Sequence, residues 1–291
     1  MKRRTINAII FAVAAVVALQ LSTATRTSAQ DPNRGGPVRT DTRILYHAGP
    51  IMPATSNVYL IWYGNWAGRE ATVSLLTDFV TSFGGSPYAR ILTTYPNASG
   101  VTPSGGLLYG GWINNYYSHS SSITDADVQG IITAVLNGQG LPVDSRGIYL
   151  VMTSPDVYFD GFCTDECQYH KHFVLNGAPL KYAVIGNPDR CPASCAAQFA
   201  SGALSPNGDP AGDAMVSWMA HVLNETITDP LGTAWYDRYG LEISDKCIGL
   251  FGQTYTTSTG ARANMQLGGR DYLVQQNWLN DRKGRCALSY P

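Results

Sequence analysis

Short apolar segments that alternate with helical patterns constrain the fold of this chain most strongly. The apolar segments are rich in β-branched and aromatic residues and end at turn-forming residues, as buried strands do. They lie at residues 57–63, 147–153 and 181–186. Apolar side chains recur at helical spacing over residues 70–83, 124–138 and 213–226. Since interleaved helices and strands are typical of layered domains, we predict a single α/β domain with helices packed on a mixed sheet.

Turn and capping signals set the expected bounds of the remaining elements. Asp213 can cap the helix over residues 213–226, and Pro230 ends it because proline cannot continue a helix. Residues 86–95 indicate a further short helix. Residues 105–117 are rich in Gly, Tyr and Asn and favour a hairpin or loop.

The N-terminus has the pattern of a secretory signal peptide. A basic start, an apolar stretch and a small-residue cleavage site before Gln30 predict a signal peptide over residues 1–29. A membrane anchor is the rival interpretation, but the apolar stretch is shorter than the roughly 20 residues of a spanning helix. Residues 30–42 predict a disordered arm, and residues 43–291 the folded domain. We expect a secreted chain without a membrane span after cleavage.

Charge narrows the range of partners. The charged residues of the predicted leader are all basic, so its removal leaves a mature net charge of about −5. No basic run follows the leader, so the sequence predicts no nucleic-acid partner. Charged residues form 14% of the chain, below the roughly 25% of ordinary soluble domains. This neutral, aromatic-rich surface indicates a partner such as a cell-wall polysaccharide or an extracellular protein.

Six cysteines in an exported chain predict three disulfides. They are Cys163, Cys167, Cys191, Cys195, Cys247 and Cys286. Proximity favours a bridge between Cys247 and Cys286, with the other four closing a local knot. The same four could instead form a zinc site of four thiolates.

A candidate metal site lies on the last predicted helix. His221 and Glu225 are four residues apart and share one helical face, the spacing with which zinc peptidases place two ligands. Val222 stands where such enzymes have their general base, and loss of that carboxylate predicts a hydrolytic rate lower by roughly 10²- to 10⁴-fold. A third ligand has to come from acids downstream, which are Asp229, Asp237, Glu242 and Asp245.

From these acids we take Asp237 and Glu242, with His221 and Glu225, as the candidate ligands of a zinc ion, in a fold that would then be zincin-like. The alternative is an ordinary contact between His221 and Glu225 without metal, and the sequence favours this simpler interpretation. His170 and His172 could also bind metal, but a solvated loop is the expectation there.

Other chemistries find less support. The chain contains neither a Gly-x-Ser-x-Gly elbow nor a phosphate-binding glycine loop. Acids suited to glycoside hydrolysis are Asp156, Asp160, Asp165 and Glu166. Aromatic residues that could stack on sugar rings are Trp62, Tyr63, Trp66, Tyr109, Trp112, Tyr116 and Tyr117.

A set of motifs distributed over most of the mature chain resembles the EXORDIUM or phosphate-induced protein family. The motifs are Tyr-His-x-Gly at 46–49, Asn-Val-Tyr-Leu-Ile-Trp-Tyr-Gly at 57–64, Thr-Ser-x-Asp-Val at 153–157, Asp-Gly-Phe-Cys at 160–163, Cys-x-x-His at 167–170, Tyr-Ala-x-x-Gly-Asn at 182–187 and Cys-Pro-x-x-Cys at 191–195. The resemblance implies a wall- or matrix-associated extracellular protein without established catalytic activity. In microbial members the last helix often reads Ala-His-Glu-x-x-Glu, whereas here the middle residue is Val222.

Three functions therefore remain as hypotheses. The first is a secreted, non-catalytic EXORDIUM-like protein at the cell surface or wall. The second is a metallopeptidase-like hydrolase with a degenerate zinc motif at His221 and Glu225. The third is a carbohydrate-binding module that uses exposed aromatic side chains.

Overall fold

The computed structural model describes residues 43–138 and 140–291. The signal peptide predicted at residues 1–29 and the arm predicted at 30–42 lie outside the described residues. The helices are α1 (Glu70–Phe83), α2 (Asp125–Asn137), α3 (Pro192–Cys195) and α4 (Pro210–Thr228). Turns of 3-10 helix lie at Ala89–Thr94, Pro188–Arg190, Ala197–Gly202 and Asp245–Cys247.

The strands of the described part divide into long ones and short ones. The long strands are β2 (Ser56–Tyr63), β3 (Leu107–Asn115), β5 (Gly147–Thr153), β7 (Gln168–Leu175) and β8 (Ala178–Ile185). The short strands are β1 (Leu45–Tyr46), β4 (Ser122–Ile123), β6 (Tyr158–Phe159), β9 (Trp235–Tyr236), β10 (Tyr255–Thr256), β11 (Arg262–Ala263), β12 (Met265–Leu267), β13 (Arg270–Tyr272), β14 (Asn277–Leu279) and β15 (Arg285–Ala287).

The long strands form one mixed sheet in the order β3-β2-β5-β8-β7. Strands β3, β2, β5 and β8 are parallel, and β7 runs antiparallel to β8 at one edge. Strand β5 is buried along its whole length and β2 along most of it. Continuous apolar strands of this kind are covered on both faces. The predicted α/β fold with a central mixed sheet is therefore confirmed.

Helices lie on both faces of this sheet. The Tyr182 hydroxyl of β8 donates to Asp125 of α2 at 2.8 Å, whereas the next residue, Ala183, pairs with His170 of β7. Consecutive strand residues point to opposite faces, so α2 and His170 lie on different sides of the sheet. Helix α4 contacts both β7 and β8, and α1 contacts α4. The face that carries His170 is therefore the face covered by α4.

Strand β3 corrects the prediction of a hairpin or loop over residues 105–117. The segment pairs in parallel with β2, with a shift of register between Val58 and Tyr59. A Cβ atom at Gly110 would lie 2.5 Å from the Tyr59 ring, and Gly111 has a positive φ of 132°. Glycine is therefore required at this bulge, and the glycines that obscured the strand pattern are the residues that let the strand form.

Helix α4 is longer than predicted and buried throughout. It begins at Pro210, with Asp209 accepting a hydrogen bond from the Gly212 N–H, so Asp213 is not its cap. Asp213 instead lies buried and accepts hydrogen bonds from Asn207. Every residue from 211 to 228 is buried. None of the helices in the described ranges is both long and apolar enough to span a bilayer.

Three disulfides cross-link the described chain. They join Cys163 to Cys191, Cys167 to Cys195 and Cys247 to Cys286. The predicted count and the predicted pairing of the last two cysteines are confirmed. The alternative of a four-thiolate zinc site is wrong, because all four sulfur atoms are engaged in disulfides.

Candidate metal centre

The centre is built on one face of α4. His221 and Glu225 lie one turn apart, with His221 Nε2 at 2.9 Å from Glu225 Oε1. The predicted i,i+4 contact therefore exists. Both side chains are buried, His221 completely.

A glutamine fixes the orientation of the His221 ring. Gln275 Oε1 lies 3.2 Å from His221 Nδ1, and the amide nitrogen of Gln275 donates to the Ser244 carbonyl oxygen at 3.0 Å. With the amide so oriented, Nδ1 of His221 carries the proton and donates it to Gln275. The opposite nitrogen, Nε2, is left to face the carboxylates, which is the arrangement that metal-binding histidines usually have.

Asp245 completes a first group of ligand atoms. It lies in the 3-10 turn Asp245–Cys247, and its Oδ1 atom is 3.4 Å from His221 Nε2. Its other oxygen accepts a hydrogen bond from the Glu242 N–H at 3.1 Å. Oδ1 of Asp245 has no hydrogen-bond partner. The turn thus holds the carboxylate by one oxygen and directs the other at the His221 ring.

His170 and Glu242 form a second group on the opposite side of Glu225. His170 Nε2 lies 2.9 Å from Glu242 Oε2 and 3.8 Å from Glu225 Oε2. Strand β7 carries His170, and the chain after β9 carries Glu242. Within each of the two groups, one ligand atom from every residue lies within 4.8 Å of the others. Glu225 belongs to both groups.

Burial and neighbouring charges shift the pKa values of four side chains in this cluster. Burial alone would lower the pKa of His221, but Glu225 and Asp245 attract its proton and raise the pKa to about 10. Burial raises the pKa of Glu225 and of Glu242, and neighbouring carboxylates raise both further. Burial also lowers the pKa of His170. Burial therefore disfavours the fully ionised form of these carboxylates. A bound cation would stabilise that form.

The four ligands predicted from sequence do not all meet. His221, Glu225 and Glu242 lie in the cluster, with Glu242 facing His170 rather than His221. Asp237 lies in a buried ion pair with Lys246 Nζ at 3.1 Å. The downstream acid that faces His221 is Asp245.

His170 and Asp245 are the members that the sequence prediction did not select. The expectation of a solvated loop around His170 is wrong, because residues 168–175 form strand β7 and His170 is buried beneath α4. Alternation in β7 puts His172 on the same face, but at the exposed end of the strand. The pair His-x-His, read as alternate positions of a strand, was the available signal.

Val222 occupies the position of the general base in zinc peptidases, and it is fully buried. An apolar side chain there can neither accept a proton nor polarise a water molecule. The acids considered for glycoside hydrolysis lie elsewhere. One of them, Asp156, accepts hydrogen bonds from the hydroxyls of Ser154 and Tyr117.

Of the aromatic residues considered for sugar binding, Tyr109 and Tyr117 are partly buried against the core, and the others divide into two sets. Trp62, Tyr63 and Trp66 are buried in the core. Trp112 and Tyr116, in and just after strand β3, are 55% and 67% exposed. Of these two sets, only the second is exposed to solvent.

Comparison with known proteins places the chain in a family. The family model described as the phosphate-induced protein 1 conserved region matches residues 44–287, nearly all of the described chain. The chain belongs to the phosphate-induced protein 1 family. The resemblance indicated by the sequence motifs is therefore confirmed.

Curated relatives of this phosphate-induced family member come from plants. Protein EXORDIUM-like 3 of Arabidopsis thaliana is 32% identical, over 81% of this chain and 80% of the relative. Protein EXORDIUM-like 5 of the same plant is 33% identical, over 81% and 75%. Protein PHOSPHATE-INDUCED 1 of Nicotiana tabacum is 27% identical, over 79% and 83%. No solved structure matches the chain.

Proposed function

We propose that this chain is a secreted, extracellular protein that binds a zinc ion in its interior and acts by binding rather than by catalysis. The observation that carries the proposal is the convergence of His221 Nε2, Glu225 Oε1 and Asp245 Oδ1 in a buried site. His221 is already oriented by Gln275. The proposed site thus has three ligands of the kinds that zinc binds.

The distances fit a shared ion. Zinc binds imidazole nitrogen and carboxylate oxygen at about 2.0 to 2.2 Å. At such distances, ligand atoms separated by 2.9 and 3.4 Å subtend angles of about 90° and 110° at the metal. Both angles are ordinary for zinc. The imidazole favours zinc over calcium or magnesium, which prefer oxygen ligands.

Two features support a binding role. Val222 removes the general base, and the ligands lie in the interior, whereas catalytic zinc keeps an open position for water or substrate. The proposed likeness to zincins would then consist only of a ligand-bearing helix packed against a mixed sheet. The ion would hold α4 to the turn at Asp245, which is a structural role.

The extracellular location is supported by the leader and by the disulfides. A signal peptide over residues 1–29, an arm over residues 30–42 and a domain over residues 43–291 make up the proposed chain. Three disulfides form and persist in oxidising compartments. At the cell surface or wall, the partner would be a polysaccharide or another extracellular protein.

The test is elemental analysis of protein secreted into an oxidising compartment, equilibrated with zinc and dialysed. We expect bound zinc in the wild type and a lower zinc content in His221→Ala. His172→Ala is the matched control, because it removes an exposed histidine and should keep the metal. Absence of zinc from the wild type, or peptide hydrolysis that a chelator abolishes, would contradict the proposal.

A second candidate function, carbohydrate binding, is favoured by the exposed rings of Trp112 and Tyr116. Aromatic faces stack on sugar rings, and Trp112 lies in the edge strand β3, which ends one residue before Tyr116. We expect the wild type to be retained on insoluble cell-wall polysaccharide and Trp112→Ala to elute early. Tyr239→Ala removes an exposed ring elsewhere and serves as the control. Equal retention of all three proteins would eliminate these rings as the contact.

A further inference from the structure

The second group of ligand atoms is not used by the proposed zinc ion. His170 Nε2, Glu242 Oε2 and Glu225 Oε2 converge on the other side of the Glu225 carboxylate. The first ion would use only Oε1 of Glu225. One carboxylate therefore offers its two oxygens to two different sets of ligands.

We infer that the centre holds two divalent metal ions bridged by Glu225. The first ion is bound by His221, Glu225 Oε1 and Asp245, and the second by His170, Glu225 Oε2 and Glu242. This inference rests on the proposed function and extends it, since the first ion is the one proposed above. Zinc suits both positions, because each set combines one imidazole with two carboxylates.

Unpartnered atoms in the cluster support this inference independently of the distances. Glu242 is completely buried, yet its Oε1 atom has no hydrogen-bond partner. In the first set, Asp245 Oδ1 also has no hydrogen-bond partner. A buried carboxylate oxygen left unpaired costs about 1 to 3 kcal/mol or more. The first ion would satisfy Asp245 Oδ1, and a second ion bound by both oxygens of Glu242 would satisfy Oε1 in the place of a hydrogen bond.

In the second set, both separations from His170 are compatible with a shared ion. Two ligands at about 2.1 Å from a metal can be separated by at most about 4.2 Å. His170 Nε2 lies 2.9 Å from Glu242 Oε2 and 3.8 Å from Glu225 Oε2, so both separations fall within that limit. Ions that share a bridging carboxylate commonly lie about 3.5 to 4 Å apart.

Charge balance also favours two ions over one. The cluster contains the carboxylates of Glu225, Glu242 and Asp245, and Asp229 lies close enough to act electrostatically on His170 and Glu242. Asp229 is held by the N–H groups of residues 233–235 and contributes charge rather than a ligand. Four carboxylates and two neutral imidazoles match the charge of two dications, whereas one dication leaves buried negative charge.

The experiment is zinc stoichiometry of the full secreted chain, measured by elemental analysis after equilibration and dialysis. We expect two equivalents in the wild type and in the control His172→Ala. His170→Ala and Glu242→Gln should each retain one equivalent, and Asp245→Asn should also retain one. Glu225→Gln, which weakens both positions, should fall below one. Circular dichroism of each variant checks that the fold is kept.

X-ray absorption of the zinc-loaded wild type provides a readout that needs no variant. We expect a metal–metal distance of about 3.5 to 4 Å. One equivalent in the wild type, unchanged by His170→Ala and without a metal–metal signal, would overturn the second ion and leave the proposed function intact. No bound zinc at all would overturn both.

Discussion

Two buried ionic groups lie side by side in this molecule and are built differently. In one, Lys246 Nζ lies 3.1 Å from Asp237 Oδ2 and 5.1 Å from the centre of the Trp278 ring. Asp237 Oδ1 also accepts two backbone N–H groups. In the other, the cluster around Glu225, several buried atoms lack hydrogen-bond partners. The two groups are linked in sequence, because Asp245 and Lys246 are adjacent.

The difference shows how to distinguish a structural ion pair from a ligand site. A buried pair with one positive and one negative charge is complete within the chain, and its remaining lone pairs are bound by backbone N–H groups. The cluster has an excess of carboxylates, and several of its buried atoms lack hydrogen-bond partners. Protonated His221 offsets part of this negative charge, and we propose that metal offsets it when bound.

The largest effect is expected from Lys246→Met, which removes the cation and leaves Asp237 buried without its partner. Breaking a buried pair in this way costs about 3 to 5 kcal/mol in the free energy of unfolding. Urea denaturation should show the same loss with zinc and with chelator. Lys171→Met, whose partly exposed ammonium lies 3.1 Å from Asp125, should cost only about 0 to 1 kcal/mol. A loss in Lys246→Met that depends on zinc would show that the two groups are not independent.

A smaller effect is expected when Cys247 and Cys286 are both changed to Ser. This removes a bridge between residues 39 apart, and the free energy of unfolding should fall by about 2 to 4 kcal/mol. The bridge anchors the turn that carries both Asp245 and Lys246, so zinc affinity should fall as well. Denaturation and zinc titration of the same sample measure both quantities. Unchanged zinc affinity would show that the turn is held without the bridge.

Zinc itself should stabilise the wild type by about 2.7 kcal/mol for one site when the free ion is at 100 times its dissociation constant. The increment is the shift in free energy of unfolding between zinc and chelator. Asp245→Asn should reduce it, since that variant removes one ligand. Lys246→Met should keep it. If Asp245→Asn retains the full increment, the ligand assignment is wrong.

The smallest effect is a pH dependence that should exist only without metal. The pKa of His221 is raised to about 10 in the folded chain, so its proton stabilises the fold fully below about pH 6.5 and is lost as the pH rises toward 10. In chelator, the free energy of unfolding should therefore fall by about 1 to 2 kcal/mol between pH 7 and pH 8. The lowered pKa of His170 has the opposite sign and acts at lower pH. His221→Gln should remove the slope, and an equal slope in that variant would assign it to other groups.

Local patterns in the sequence predict most of the fold. The helix expected over residues 70–83 is α1, and the strand expected over 147–153 is β5, both with the predicted bounds. The apolar spacing that predicts each of these two elements is visible within a single turn or strand of the sequence. Strand β3 was mispredicted because its bulge requires glycines, which in isolation indicate a loop.

The site could be predicted only where it is local. His221 and Glu225 share a helical face, so their contact follows from a spacing of four residues. His170 and Asp245 meet them through tertiary packing, 51 and 24 residues from His221 by position number. Of the downstream acids, Asp229 and Asp237 each accept two or more backbone N–H groups, whereas Asp245 accepts one and directs its other oxygen at His221. Sequence contains no signal for such bonds, so it could not choose among the acids.

The bulge in β3 also bears on how the protein behaves at high concentration. Strand β3 lies at one edge of the sheet within the described residues, and a straight exposed edge is a template onto which another copy can add a strand. The bulge at Gly111 twists the strand and interrupts the regular row of backbone donors and acceptors. Glycines that allow the strand to pair with β2 on its inner side thus also oppose fibrous self-association on its outer side.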